Sequence, residues 1–194
     1  IPSIFDSKSR IMFQIAIDTS GSMAGERLSL VKIQLKNLLD FFSLYAEDSQ
    51  LDISIVEFGG IRDTFIEQYN VDDAKMQILK DFIDSLSAGG GTDFRAAFFR
   101  STGFFQPKTI RKDTEKYMFF ITDGVPDNEN NADLARSENA SMINKTGDWA
   151  ACPVSITGFN IELLDVSQTR KVVNNGVYII QSADSSGMID AAQN

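Results

Sequence analysis

Histidine is absent from this chain, and cysteine and tryptophan occur once each. Without histidine, Ser-His-Asp and Cys-His catalysis are excluded. With Cys152 as the sole thiol, a zinc site also lacks its usual ligands. One cysteine forms no internal disulfide, so the redox compartment stays open. In WAACPVSITGF, Cys152 reads as a small core residue beside a strand. Basic residues are outnumbered, with 18 Lys and Arg against 27 Asp and Glu and a net charge of −9. Nucleic acid and anionic membrane surfaces reward a basic face, so neither fits as a partner. No apolar run approaches the roughly 20 residues of a membrane span, which argues against membrane insertion, and no signal peptide is visible. The first residue is Ile1 rather than Met, so the chain reads as an excised piece of a longer, multidomain protein.

Core-forming residues are plentiful. Of 194 residues, 43% are hydrophobic and 15 are Phe, enough for a real core. So many Phe beside a single Trp suit packing better than a sugar- or base-stacking platform. No internal repeat, low-complexity run or linker interrupts the chain, so residues 1–194 are expected to form a single domain.

The hydrophobic pattern alternates between two periods. Arg10–Asp18 (RIMFQIAID) is a mostly apolar run ending in small polar residues, as in a buried strand. Arg27–Leu44 places Leu28, Val31, Leu35, Leu38, Leu39 and Phe42 on one helical face. Leu51–Phe58 reads as a strand with partial alternation, and Ile61–Tyr69, interspersed with charges, as an edge strand. Asp72–Leu86 reads as a helix with Ala74, Ile78, Leu79, Ile83 and Leu86 on its apolar face and Asp72 and Asp73 at its start. Further along, Asp93–Phe105 is a helix, Lys116–Thr122 (KYMFFIT) a central strand and Asn131–Thr146 a polar helix. Pro153–Phe159 follows as a strand, Asp165–Val173 as a helix, Val177–Gln181 as a strand and Ser186–Asn194 as a last helix. This order predicts an α/β fold of the Rossmann-like, doubly wound kind. Its central sheet is mostly parallel with one antiparallel edge strand, and helices cover both faces.

In such folds ligands bind beyond the carboxyl ends of the strands. Two strings fall at that edge, Asp18, Ser20 and Ser22 in IAIDTSGSM and Asp123 in MFFITDG, and the Gly-rich loop that precedes Thr92 in AGGGTDF is expected to reach it. Each has an ordinary explanation, since Ser and Asp before a helix cap it and Asp-Gly marks a turn. Together they offer two carboxylates and three hydroxyls, the all-oxygen chemistry of a hard divalent cation such as Mg²⁺, with Mn²⁺ or Ca²⁺ as alternatives.

The order strand–DxSxS–helix, Gly-rich loop–Thr–helix, strand–TDG resembles the von Willebrand factor A-type domain and its metal-ion-dependent adhesion site. The resemblance spans Ile11 to about Ala191 and fills all five motif positions. It implies that Ser20 and Ser22 bind the metal through their hydroxyls. Thr92 would bind directly or through water, and Asp18 and Asp123 directly or, more usually, through bound waters. It further implies adhesion without catalysis: a protein partner presents an acidic side chain to an ion that its neutral hydroxyl ligands leave electrophilic. The segments SMAGERLSLVKIQLKNLLDFF and GGGTDFRAAFF look most like such modules in large bacterial surface adhesins of the RTX type. An extracellular or cell-surface setting within a larger protein follows, with the isolated domain monomeric.

Two other readings stand beside this one. Asp-Thr-Ser-Gly-Ser after a strand also resembles the haloacid dehalogenase-like phosphotransferases, with Asp18 as nucleophile and Mg²⁺ held by Asp123 and Asp127. Against it, those enzymes carry a second Asp where this chain has Ser20, no Lys sits in a recognisable phosphate-pairing motif, and GGGT is left without a role. Alternatively, the domain is a structural scaffold whose metal site is filled by a carboxylate from another domain of the parent protein.

Overall fold

The computed structural model describes residues 10–45, 50–59, 64–105, 114–123, 154–161, 166–180 and 187–193. Within them a six-stranded sheet has the order β3-β2-β1-β4-β5-β6. Its strands are β1 (Ile11–Asp18), β2 (Leu51–Phe58), β3 (Phe65–Gln68), β4 (Glu115–Thr122), β5 (Val154–Ile161) and β6 (Val177–Ile180). All neighbours pair in parallel except β3, which runs antiparallel to β2 at the edge. The doubly wound, mostly parallel α/β sheet expected from the pattern is the one observed.

Central strands covered on both faces read as continuous apolar runs, and every residue of β1 and β2 is buried. The partial alternation read in LDISIVEF therefore does not mark a wetted face: Asp52 and Ser54 are buried and bonded across the sheet. Arg10 donates to Asp52 Oδ2 from Nε at 2.8 Å, Asn70 N donates to Asp52 Oδ1 at 2.9 Å, and Gln14 Nε2 donates to Ser54 Oγ at 3.3 Å.

Alternation along the strands divides the core in two. Phe13, Ile15 and Ile17 of β1 pack with Leu35, Leu39 and Phe42 of helix α1 (Glu26–Tyr45). On the same face, α1 lies against α2 (Asp73–Ser85) and the last described helix, α5 (Gly187–Gln193). Met12 and Ala16 face the other way, toward α3 (Phe94–Phe104). There Phe120 is the hub, with ring centroids 5.0 Å from Phe58, 4.9 Å from Phe94 and 5.6 Å from Phe98. Phenylalanine thus builds much of this second core, with Phe104 and Phe105 buried in it as well.

Element boundaries follow the expected ones closely, with three corrections. The edge strand is shorter than 61–69, occupying Phe65–Gln68. Helix α2 buries Met76, Leu79 and Ile83, whereas Ala74 and Ile78 are exposed. Its inward stripe is therefore rotated from the one read in the sequence, with Met76 joining the core that α1 also lines. The helix expected over 165–173 is a single turn, α4 (Ser167–Arg170). Asp72 caps α2 as its position suggested, accepting from Lys75 N at 2.8 Å. The polar helix 131–146, Cys152 and Asp127 lie outside the described residues.

Candidate functional site

The strand order reverses between β1 and β4, since the chain winds outward from β1 to β2 on one side and from β4 to β5 on the other. A crevice opens at such a switch point, outside the carboxyl ends of the strands. Asp18 is the last residue of β1, and Asp123 directly follows β4.

Both carboxylates are buried, Asp18 at 0% exposure and Asp123 at 3%. Asp18 accepts hydrogen bonds at both oxygens: Ser20 N reaches its Oδ1 at 2.8 Å and Thr122 Oγ1 reaches its Oδ2 at 2.8 Å. After Asp18 the chain turns through a short 3₁₀ segment, Gly21–Met23. That turn brings the Ser20 and Ser22 hydroxyls to 3.0 Å from each other. Ser22 Oγ then donates to Asp123 Oδ1 at 3.0 Å, joining residues 101 apart in sequence. The other oxygen, Oδ2, accepts from Arg27 Nη1 at 2.7 Å, and the same nitrogen donates to the Ser22 carbonyl at 3.2 Å.

The third loop is anchored through its backbone. Gly89 N donates to the Thr19 carbonyl at 2.8 Å, and Gly21 N donates to the Gly90 carbonyl at 3.0 Å. On the far side, Gly59 at the end of β2 has φ +81°, and a Cβ there would lie 2.4 Å from the Gly91 oxygen and 3.1 Å from the Thr92 Cα. Only glycine permits so close an approach in that left-handed conformation. Thr92 is thereby delivered, buried, to the edge that carries Asp18 and Asp123.

This geometry bears on the capping readings. Ser20 sits at the N-cap of the 3₁₀ segment, but its side chain makes no capping bond; its hydroxyl meets Ser22 instead. Capping of α3 falls to Asp93, whose Oδ1 accepts from Arg95 N at 2.9 Å. Thus Asp18, Ser20, Ser22 and Asp123 form one hydrogen-bonded chain, and Thr92 joins them through its loop.

Two participants escape a reading of the sequence alone. Thr122 precedes Asp123 and, by strand alternation, faces the same side of the sheet as Asp18, so KYMFFIT carried a usable signal. Arg27 carried none, because its link to Asp123 spans 96 residues and it resembles any first-turn helix cation.

The electrostatics follow from burial. Asp18 is raised from the ordinary 3.8 to about 6, chiefly by desolvation; the Ser20 and Thr122 bonds pull it back, and the Asp123 charge pushes it further up. A buried carboxylate that its hydrogen bonds do not fully compensate gains from a nearby cation. Among the described residues no group of three or more His, Cys, Asp or Glu side chains gathers. A cation held here would depend on hydroxyls, which fits the near-octahedral, water-retaining chemistry of Mg²⁺ better than a carboxylate cage.

Residues 13–125 match the von Willebrand factor type A domain family. The chain belongs to that family. Comparison of the sequence with curated proteins gives no match. Among solved structures, a von Willebrand factor type A protein from Catenulispora acidiphila superposes with a TM-score of 0.71 at 21% identity, over 95% of this chain and 41% of that one. The pilus adhesin SpaC from Lactobacillus rhamnosus GG, in an open conformation, gives 0.69 at 14% identity, over 95% of this chain and 30% of that one. Proximal thread matrix protein 1 from the mussel byssus, described with a zinc-occupied MIDAS motif, gives 0.69 at 17% identity over 95% and 45%. This chain therefore spans less than half the length of each of these three proteins. The family consists of interaction modules, generally non-enzymatic, that are known for metal-dependent protein binding and adhesion. Among the described residues no helix is long and apolar enough to cross a membrane.

Proposed function

We propose that residues 1–194 form a single von Willebrand A domain that binds a protein partner through a divalent cation held by Asp18, Ser20, Ser22, Thr92 and Asp123. One observation carries the proposal: the hydroxyls of Ser20 and Ser22 bridge the first loop to the Asp123 carboxylate, with 3.0 Å at each step. Bound there, Mg²⁺ supplies an electrophilic centre that accepts an anionic oxygen. The chain's own residues do the rest. Ser20 and Ser22 present neutral oxygens that leave the charge of a cation largely intact. Thr122 and the Ser20 amide fix both oxygens of Asp18, so it enters the site oriented. Gly59, lacking a Cβ, leaves room for the loop that carries Thr92.

The partner in this reading is a protein presenting an acidic side chain, or another domain of the parent protein in the scaffold version. The setting is extracellular or at the cell surface, of the kind found in RTX-type adhesins, and the isolated domain is monomeric. Mg²⁺ is the expected ion, with Mn²⁺ or Ca²⁺ as substitutes. The phosphotransferase reading gains nothing from the geometry, because both oxygens of the would-be nucleophile Asp18 are occupied by donors at 2.8 Å.

The test is calorimetric titration of Mg²⁺ and Mn²⁺ into the chain and into the Ser20→Ala plus Ser22→Ala double variant. Binding by the parent and its loss in a folded double variant are expected. Equal binding by both would remove the metal assignment, and metal-dependent phosphomonoester hydrolysis lost in Asp18→Asn would replace adhesion by catalysis.

A further inference from the structure

The ion pair between Arg27 and Asp123 gives the site a cation of its own. Arg27 Nη1 lies 2.7 Å from Asp123 Oδ2, with the Arg27 side chain 40% exposed and that of Asp123 only 1%. The same nitrogen holds the Ser22 carbonyl at 3.2 Å, so the guanidinium touches two of the five candidate ligand residues. Arg27 is on the second residue of α1, which begins at Glu26 immediately after the turn of the first loop. Gly25, at φ +78°, provides the bend between them.

Resting on the metal-site reading above, we infer that Arg27 sets the charge balance of this site: it competes with the divalent cation for Asp123 and keeps the loaded site net positive. Two carboxylates, one guanidinium and a divalent ion leave one positive charge, whereas without Arg27 the same set is neutral. The arginine therefore weakens the hold on the metal and strengthens the pull on an anionic partner. In the absence of metal it does the opposite service, since a carboxylate as buried as Asp123 needs a compensating charge. Arginine suits the task because its guanidinium stays protonated and can address a carboxylate and a carbonyl together.

The experiment uses the chain with Arg27→Gln and Arg27→Lys, each checked for folding by circular dichroism. Mg²⁺ affinity is read by calorimetry, and melting temperature is read in EDTA. Arg27→Gln is expected to bind Mg²⁺ about two- to fivefold more tightly, the range of a half-exposed charge interaction. Its melting temperature in EDTA should fall by about 3–6 °C. Arg27→Lys keeps the charge and is expected to stay near the parent in both readings. If the parent binds Mg²⁺ but Arg27→Gln binds equally or more weakly, Arg27 is a positioning group and the inference is overturned while the metal site stands. If Arg27→Lys behaves like Arg27→Gln, geometry rather than charge is responsible, which also overturns it. A parent that binds no Mg²⁺ overturns both.

Discussion

Replacing Asp18 by Asn separates the burial of a charge from the geometry that holds it. Asp18 is fully buried and is raised from 3.8 to about 6, mainly because burial penalises its ionised form. A group whose folded-state pKa lies above its unfolded value contributes stability that is fully present below the unfolded value. That contribution is lost as the pH rises through the folded value. In EDTA, therefore, the Asp18 contribution to stability should decline between about pH 4 and pH 6 and stay low above it. A shift of about two units corresponds to about 3 kcal/mol. For a chain of this size that is about 6–12 °C in melting temperature.

Other carboxylates titrate in the same range, so the informative quantity is the difference between parent and Asp18→Asn. The amide cannot ionise, but it offers one acceptor oxygen where two donors converge, Ser20 N and Thr122 Oγ1. Against the ionised carboxylate that mismatch costs about 1 kcal/mol, because the Thr122 hydroxyl can turn its proton elsewhere, and against the protonated carboxyl, which also carries a donor on one oxygen, it costs less. The parent is thus expected to gain on the variant at pH 4.5 and to lose to it at pH 7.5. Thermal unfolding followed by circular dichroism in EDTA, at half-unit pH steps, gives the curve. A difference that stays constant across this window, or moves the other way, would show that Asp18 carries no buried-charge penalty, and the electrostatic case for a cation at this point would lose its footing.

Two substitutions probe the scaffold around the carboxylates. Thr122→Val keeps shape but removes the donor to Asp18 Oδ2; a destabilisation of about 1–3 kcal/mol is expected in denaturant titration, with weaker Mg²⁺ binding. Gly59→Ala places a Cβ 2.4 Å from the Gly91 oxygen at a φ of +81°. The backbone must move, at a cost of about 2–4 kcal/mol, and Mg²⁺ affinity should fall because Thr92 shifts with the loop. Unchanged affinity in a folded Gly59→Ala variant would argue that Thr92 lies outside the ligand set.

Much of this architecture was legible in the residue pattern, and the reasons differ by element. Buried parallel strands announce themselves because both faces are apolar, as in IMFQIAID and KYMFFIT. Helix α1 shows a regular inward face because it spans five turns against the sheet. Helix α2 is shorter and meets α1 as well as the sheet, so its inward stripe depends on a neighbour that no local pattern reveals. Met76 points inward while Ile78 is 45% exposed. The five ligand candidates were legible as residue types where a strand or the Gly-rich loop ends. What joins them was not: the Ser22–Asp123 and Arg27–Asp123 links span 101 and 96 residues and exist only because β1 and β4 are neighbours in the sheet.

That neighbourhood also explains why removing the hydroxyls is an interpretable experiment. Main-chain bonds tie the first loop to the end of β2 and to the Gly-rich loop: Thr19 N to the Phe58 carbonyl at 3.0 Å, Gly89 N to the Thr19 carbonyl at 2.8 Å and Gly21 N to the Gly90 carbonyl at 3.0 Å. None of these bonds involves a serine side chain. Truncating Ser20 and Ser22 to Ala therefore deletes oxygens from the site while the backbone that positions Thr92 and Asp18 keeps its own supports. Asp123 retains Arg27, so its buried charge is not stranded when Ser22 loses its hydroxyl. Loss of metal binding in the double variant would then report on ligand chemistry, and loss of folding would contradict the backbone account of how these loops are held.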